Sequence, residues 1–172
     1  KVSELRPALV PLTFSQDSFP GFTTLAGTSI DSLVSYANHR FRENILFTHW
    51  GLSGPAILQI SLYWDPGKPI TIDLMPEQDA INWLLELKES TPRATVSSTL
   101  KRVYPTRFAQ VFAETYCDTG SKPLAEISSK TLRELGQRLN AWQVIPTGTQ
   151  GYKKAEVTRG GVATTELSSK TL

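Results

Sequence analysis

The sequence predicts an α+β fold: a small antiparallel β-barrel of about six strands, interrupted by a bundle of about four helices. Three observations lead there. Residues 1–74 carry short runs of strand chemistry separated by turn residues, residues 75–142 switch to a helical period, and strand signals return over 143–172. The simplest organisation is a discontinuous barrel subdomain (1–74 with 143–172) and a helical subdomain (75–142). The late strands are expected to rejoin the early ones and close the sheet.

Ala8-Leu-Val-Pro-Leu-Thr-Phe14 reads as a strand, followed by a polar loop from Ser15 to Gly21. Thr28, Ile30, Ser32, Val34 and Tyr36 then share one side of a strand, with Asp31 and Ser35 on the other, the mark of a half-buried antiparallel strand. Ala37-Asn38-His39 joins it to a partner over 40–48, although no Asn-Gly or Asp-Gly specifies the turn. Ser53-Gly54-Pro55 starts a helix, with Ser53 as the expected cap and Ile57, Ile60, Ser61 and Trp64 on one face. Asp65-Pro-Gly-Lys68 ends it, and Pro69-Ile-Thr-Ile-Asp-Leu74 alternates as a further strand.

Pro76-Glu-Gln-Asp79 opens the helical part with acids where the helix dipole favours them, and Ile81, Leu84, Leu85 and Lys88 follow. Val96, Leu100 and Val103 form a shorter stripe that Pro105 ends, and Phe108, Val111, Phe112 and Thr115 a third, closed by Asp118-Thr-Gly-Ser121. The cleanest stripe is Leu132, Leu135, Leu139 and Trp142, after a cap at Ser128 or Ser129. Helices this short are unstable alone and must pack together. Beyond Trp142, Gln143-Val-Ile-Pro146 and Tyr152-Lys-Lys-Ala-Glu-Val-Thr158 read as strands around a turn, before Gly160-Gly161.

Length and composition bound the function. A chain of 172 residues, 40% apolar and 20% charged, can bury a real core and is not a disordered or low-complexity segment. Eighteen Lys and Arg against sixteen Asp and Glu leave a net charge of +2, a weak field for neutralising a phosphate backbone, so nucleic acid is not an expected partner. A single cysteine, Cys117, forms no internal disulfide and suits a reducing, cytoplasmic compartment. The charge-free stretch 44–64 holds too many polar, Gly and Pro residues to cross a bilayer and reads as core, without membrane contact. The chain starts at Lys1, and its single Met is Met75, so it is expected to be cut from a longer polypeptide.

Two segments stand out for chemistry. Phe47-Thr-His-Trp-Gly-Leu-Ser-Gly-Pro55 brings polar groups, glycines and a helix start together; backbone donors at Ser53 and Gly54 would hold an anion or a polar ring edge, and the plainer reading is a capped helix after a tight turn. Thr158-Arg-Gly-Gly-Val162 lets backbone approach a flat ligand or another chain, with a β-bulge as the plainer alternative. A serine hydrolase would need Ser53 beside His49 with Asp31 or Asp73 behind it, but Pro55 stands where a nucleophile elbow requires Gly. His39, His49 and Cys117 are too few for a structural zinc site, and no spaced-glycine dinucleotide fingerprint occurs. Basic residues gather loosely at Lys101-Arg102, at Lys130, Arg133 and Arg138, and at Lys153-Lys154 with Arg159; Glu134 four before Arg138 suggests an ion-paired face.

Phe47-Thr-His-Trp-Gly-Leu-Ser-Gly-Pro-Ala-Ile-Leu-Gln-Ile-Ser-Leu-Tyr-Trp64, Pro146-Thr-Gly-Thr-Gln-Gly-Tyr-Lys-Lys-Ala-Glu-Val-Thr-Arg-Gly-Gly-Val162 and Glu166-Leu-Ser-Ser-Lys170 together resemble the YhiN/BaiN family of NAD(P)/FAD-dependent oxidoreductases, which includes aminoacetone-oxidase-like flavoproteins. Leu9-Val-Pro-Leu12 and Leu25-Ala-Gly27 fit the same pattern. The family's glycine-rich FAD motif is not in this chain, so the resemblance implies an insert domain that covers the flavin and shapes the substrate pocket, inert alone. It implies FAD in the parent protein and none in this fragment. Expected partners are the parent's FAD-binding domain, a small-molecule substrate and NAD(P)H. Carried over by position, the candidates facing flavin or substrate are His49, Gly51, Ser53, Gly54, Thr158, Gly160 and Gly161, with no role for Trp50 or Arg159. The alternative is a stand-alone module that binds protein or RNA.

Overall fold

In the computed structural model, which describes residues 2–15, 21–118 and 121–163, strand chemistry and helical period fall where the residue pattern puts them. The first part holds β1 (Val2–Ala8), β2 (Leu12–Thr13), β3 (Ser29–Tyr36), β4 (His39–Phe47), β5 (Gly51–Ser53), α1 (Pro55–Ser61) and β6 (Ile70–Asp73). Four helices follow, α2 (Ala80–Ser90), α3 (Val96–Leu100), α4 (Thr106–Tyr116) and α5 (Ser129–Asn140), and then β7 (Trp142–Val144), β8 (Gly148–Thr149) and β9 (Val157–Val162). The fold is α+β with antiparallel sheets. The loop expected from Ser15 to Gly21 lies largely outside the described residues, and Glu166 to Lys170 wholly so.

Seven strands form one sheet in the order β7-β6-β3-β4-β5-β2-β8. The expected closed barrel is not formed. Val144, ending β7, and Gly148, opening β8, are four residues apart, so the two sheet edges cannot be more than roughly 14 Å from each other. The sheet therefore curls back on itself. It stops short of a closing ladder because Pro146 has no N–H to give and the Thr147 N–H is spent on the Thr13 carbonyl at 2.8 Å. Nor does the last strand rejoin this sheet: β9 pairs with β1 in a separate two-stranded ribbon.

Burial follows the alternation. Ile30, Ser32 and Val34 of β3 are buried, and the Ser32 hydroxyl is satisfied by the Ile30 carbonyl at 3.3 Å. Tyr36 pairs with His39, leaving Ala37-Asn38 as a two-residue turn with Ala37 at φ 50°. Alanine rarely takes that conformation, which is why residue type alone did not announce the turn.

Several boundaries differ from expectation. The strand expected over residues 8–14 is divided between β1, which ends at Ala8, and β2, and Trp142, expected on the last helical stripe, opens β7. Ser53 does not cap α1; it lies in β5 opposite Leu46, Gly54 precedes the helix at φ 90°, and Pro55 occupies the first turn, where its missing N–H costs nothing. Helix α2 begins at Ala80, with Asp79 accepting from the N–H groups of Ile81 and Asn82, because Pro76 and Glu77 belong to a turn. The strand expected from Tyr152 starts only at Val157: Lys154 and Ala155 both donate to the Gly151 carbonyl and coil the segment, so Gly160 and Gly161 fall inside β9 rather than after it.

Sheet and helices share one continuous set of buried side chains. An aromatic group links them, with ring centroids 5.8 Å apart for Phe47 and Phe108, 6.4 Å for Phe47 and Trp142, and 5.2 Å for Phe108 and Phe112. Leu132, Leu135 and Leu139 are buried as their spacing predicts. Asn140 ties the helices to β6: its Nδ2 donates to Asp73 Oδ1, to the Met75 carbonyl and to the Gln78 carbonyl, and its Oδ1 accepts from the Ala80 N–H. The charge-free stretch 44–64 becomes the end of β4, then β5 and α1, with Ile45, Phe47, Leu52, Ile57 and Ile60 buried. Among the described residues no helix is long and apolar enough to cross a membrane.

Candidate nucleic-acid interface

The connection from β4 to β5 is a turn over residues 48–51, sealed by one side chain. Thr48 Oγ1 donates to the Gly51 carbonyl and accepts from the N–H groups of Trp50 and Gly51, while the Thr48 N–H bonds back to Gly51 at 2.8 Å. Gly51 is required there. A Cβ on it would lie 2.3 Å from the Leu12 carbonyl oxygen, against the neighbouring strand. From the other side, the Phe14 N–H donates to the Trp50 carbonyl at 3.1 Å. The backbone of Trp50 is thus held on both flanks, and its indole stands 71% exposed. Trp64 and Trp142 are buried and Trp83 is partly so, which leaves Trp50 as the tryptophan that stands most open to water.

Trp50 belongs to a cleft of about 730 Å³ that also includes His49, Ser53, Arg107, Gln150 and Lys154. Among the described residues no Asp or Glu lines it. Arg107, in the first turn of α4, donates Nη1 to the Thr24 carbonyl at 3.1 Å, and Lys154 rides the turn after β8 that the Gln150 N–H anchors to the Pro11 carbonyl. Neither cation has a carboxylate partner among the described residues. Tyr152, two residues before Lys154, is 57% exposed on the same turn. An aromatic face flanked by unneutralised cations attracts a flat, negatively charged polymer.

The seven residues expected from sequence fall in two places. His49 and Ser53 line this cleft. Gly51 and Gly54 underlie it, and a Cβ on Gly54 would lie 2.6 Å from the Asn44 carbonyl oxygen, so both glycines serve close approach of the chain to itself. Thr158, Gly160 and Gly161 lie on the ribbon, paired with β1; a Cβ on Gly160 would lie 2.1 Å from the Glu4 carbonyl oxygen, while Gly161 faces open space. His49 and Ser53 line the Trp50 cleft, and none of Thr158, Gly160 and Gly161 lines it. The seven residues therefore lie on two separate parts of the described surface.

The other sequence candidates separate as well. Asp31 accepts from Arg42 at 3.0 Å, and Asp73 Oδ1 accepts from the Met75 N–H and from Asn140, so neither carboxylate orients His49 toward Ser53. Among the described residues no group of three or more His, Cys, Asp or Glu could hold a metal ion, and Cys117 is buried. The expected Glu134–Arg138 pairing is replaced: Glu134 lies 4.0 Å from Lys130, and the Arg138 guanidinium stacks 4.7 Å over the Tyr116 ring. Burial pushes the Tyr116 phenol above its ordinary range, with the Trp142 indole N–H bond at 2.9 Å pulling the other way. Trp50, Arg107 and Gln150 were not legible as a site, because Arg107 reaches the cleft from a helix more than fifty residues away. Their signal was local to Trp50, a large aromatic beside His49 in a glycine-bounded turn.

The chain is 39% identical over 176 aligned residues to the ribosomal RNA dihydrouridine synthase of Escherichia coli (strain K12), covering 97% of this chain and 42% of that protein. It is 36% identical over 169 residues to the ribosomal RNA dihydrouridine synthase of Haemophilus influenzae, covering 97% of this chain and 41% of the relative. The chain thus spans about two-fifths of the length of the curated relatives it matches. Relatives named for action on ribosomal RNA overturn two expectations, that the chain is the flavin-covering insert of an oxidoreductase with a FAD-binding domain as its partner, and that nucleic acid is not a partner. A net charge of +2 does not exclude a polyanion, because it sums over the whole surface and says nothing of a local arrangement such as that at Trp50. Residues 6–157 match the family described as the HI0933-like protein barrel and H2TH domain, and the chain belongs to that HI0933-like family.

Proposed function

We propose that this chain is the RNA-contacting part of a protein that acts on ribosomal RNA, and that the cleft at Trp50 is where the RNA is held. The observation that carries this reading is the fixed, exposed indole of Trp50 in a cleft with Arg107 and Lys154 and, among the described residues, no acid. Stacking on a base supplies sequence-tolerant affinity, and the two cations meet the flanking phosphates. Gln150 adds an amide able to donate to and accept from a base edge. Support comes also from the relatives, named for dihydrouridine synthesis in ribosomal RNA. In this role the chain binds and orients RNA, and the chemistry of the whole protein belongs to its remaining length; if that protein carries FAD, this chain is not where it would be bound. An activity on ribosomal RNA would place the protein in the cytoplasm.

Anisotropy titration of a labelled ribosomal RNA fragment with this chain, at low and at moderate salt, tests the proposal. Binding that weakens with salt and weakens again on Lys154→Gln is the expected result. Absence of binding at low salt, with the chain folded, would overturn it.

A further inference from the structure

The Trp50 cleft does not end at Arg107. A second cleft of about 580 Å³ shares Thr23 and Arg107 with it and continues along the exposed side of α4 past Gln110 to Glu114. The two adjoin at Arg107: Lys154 and the indole of Trp50 line the first, and along α4 the second runs from Arg107 to Glu114. We infer that this channel takes single-stranded RNA rather than duplex, with one base on Trp50, the adjoining phosphate on Arg107, and the strand leaving before Glu114. The inference rests on the proposed function and specifies its substrate.

Both features of the channel select for an open strand. A base inside a duplex has its two faces covered by neighbours, so Trp50 can stack only on one that is unpaired or turned out. An A-form duplex presents its phosphates at fixed spacing along two strands, whereas the adjoining clefts offer two cations, Lys154 and Arg107, and an acid, Glu114, further along α4. Glu114 repels the next phosphate, which sets how far the strand can follow α4. Arg107 is held in place by the Thr24 carbonyl, so its guanidinium keeps donors available for a phosphate while its position is fixed.

The test compares a labelled oligouridine of about twelve nucleotides with a hairpin duplex of similar length, in this chain and in four variants. Single-stranded RNA should bind about tenfold or more tightly than duplex, and Trp50→Ala should remove about tenfold of that affinity. With two phosphate contacts, the logarithm of affinity should fall against the logarithm of salt with a slope of about −1.4, and Arg107→Gln should reduce it by about 0.7. Gln110→Lys and Glu114→Gln, both at exposed positions of α4, should each tighten binding about two- to fivefold, a gain that misfolding cannot mimic. Equal or tighter binding of the duplex, or no response to either α4 variant, would overturn the single-strand channel while leaving RNA binding at the cleft intact. No binding of either RNA would overturn both readings.

Discussion

The N–H of Phe14 donates to the carbonyl of Trp50 at 3.1 Å, so the strand that carries Leu12 and Thr13 holds the one fully displayed tryptophan by its backbone. Display and rigidity are thereby separated: the peptide is fixed by β2, and the ring is left for something else to cover. An aromatic platform held this way loses little entropy when a base stacks on it, which is how an exposed side chain acquires binding energy without contributing to the fold.

Gly51→Ala should break that mount. A methyl group there would lie 2.3 Å from the Leu12 carbonyl oxygen and 2.8 Å from the Phe14 ring. We expect a loss of about 1–3 kcal/mol in urea denaturation, together with weakened RNA binding as the Trp50 turn shifts away from β2. A change below about 0.5 kcal/mol, within the range of an exposed position, would show that the turn is not pinned as described.

Gly136→Ala sets two effects against each other. Helix propensity favours alanine in mid-helix by up to about 1 kcal/mol. Yet Gly136 faces α2 so closely that a Cβ would lie 2.7 Å from both the N and Cα of Ile81. Backbone cannot yield as a side chain does, so the variant should be destabilised by about 1–3 kcal/mol; a raised melting temperature would contradict the close α2–α5 packing.

Leu135→Ala removes a side chain that is 1% exposed, at the centre of the α5 stripe. The expected cost is about 2–5 kcal/mol, read by chemical denaturation. A near-neutral effect would mean that the site collapses onto the missing volume or that the stripe is not core.

Tyr104 gives the protein an alkaline sensitivity. Its hydroxyl donates to the Leu74 carbonyl at 3.1 Å, and burial, with the Asp73 carboxylate adding to it, holds the phenol well above the ordinary tyrosine range. Below a pH of about 10 the phenol is protonated in folded and unfolded chains alike; above it the unfolded chain releases the proton first, so stability falls as pH rises. Tyr104→Phe should cost about 0.5–1.5 kcal/mol at neutral pH and should flatten part of the alkaline decline, measured by denaturation at pH 7 and above pH 10. Tyr36 and Tyr116, also shifted upward with burial as the first cause, contribute in the same direction.

Much of the fold was legible from period alone, and the site far less. Leu132, Leu135 and Leu139 announced α5, and Ile30, Ser32 and Val34 announced β3, because burial of one face is a local demand that every turn or pair of residues repeats. Sheet closure is a different kind of fact. Whether β7 closes on β8 depends on which backbone donors are already spent, and Thr147 spends its own on Thr13, far away in sequence. Helix starts slipped for a similar reason: Pro76 looked like a first-turn residue, but Asn140 draws the Met75 and Gln78 carbonyls into its own bonds and delays α2 to Ala80. At the cleft, His49 and Ser53 were found because they share a short segment with Trp50. Arg107 and Gln150 were not, since only the curl of the sheet and the packing of α4 bring them to the same opening.

The most direct test of the account is the affinity of Trp50→Ala for single-stranded ribosomal RNA, measured beside the stability of the same variant. The account predicts about tenfold weaker binding with folding stability changed by less than about 0.5 kcal/mol, because the indole touches little of the fold and the RNA depends on it. Undiminished binding by this folded variant would contradict it.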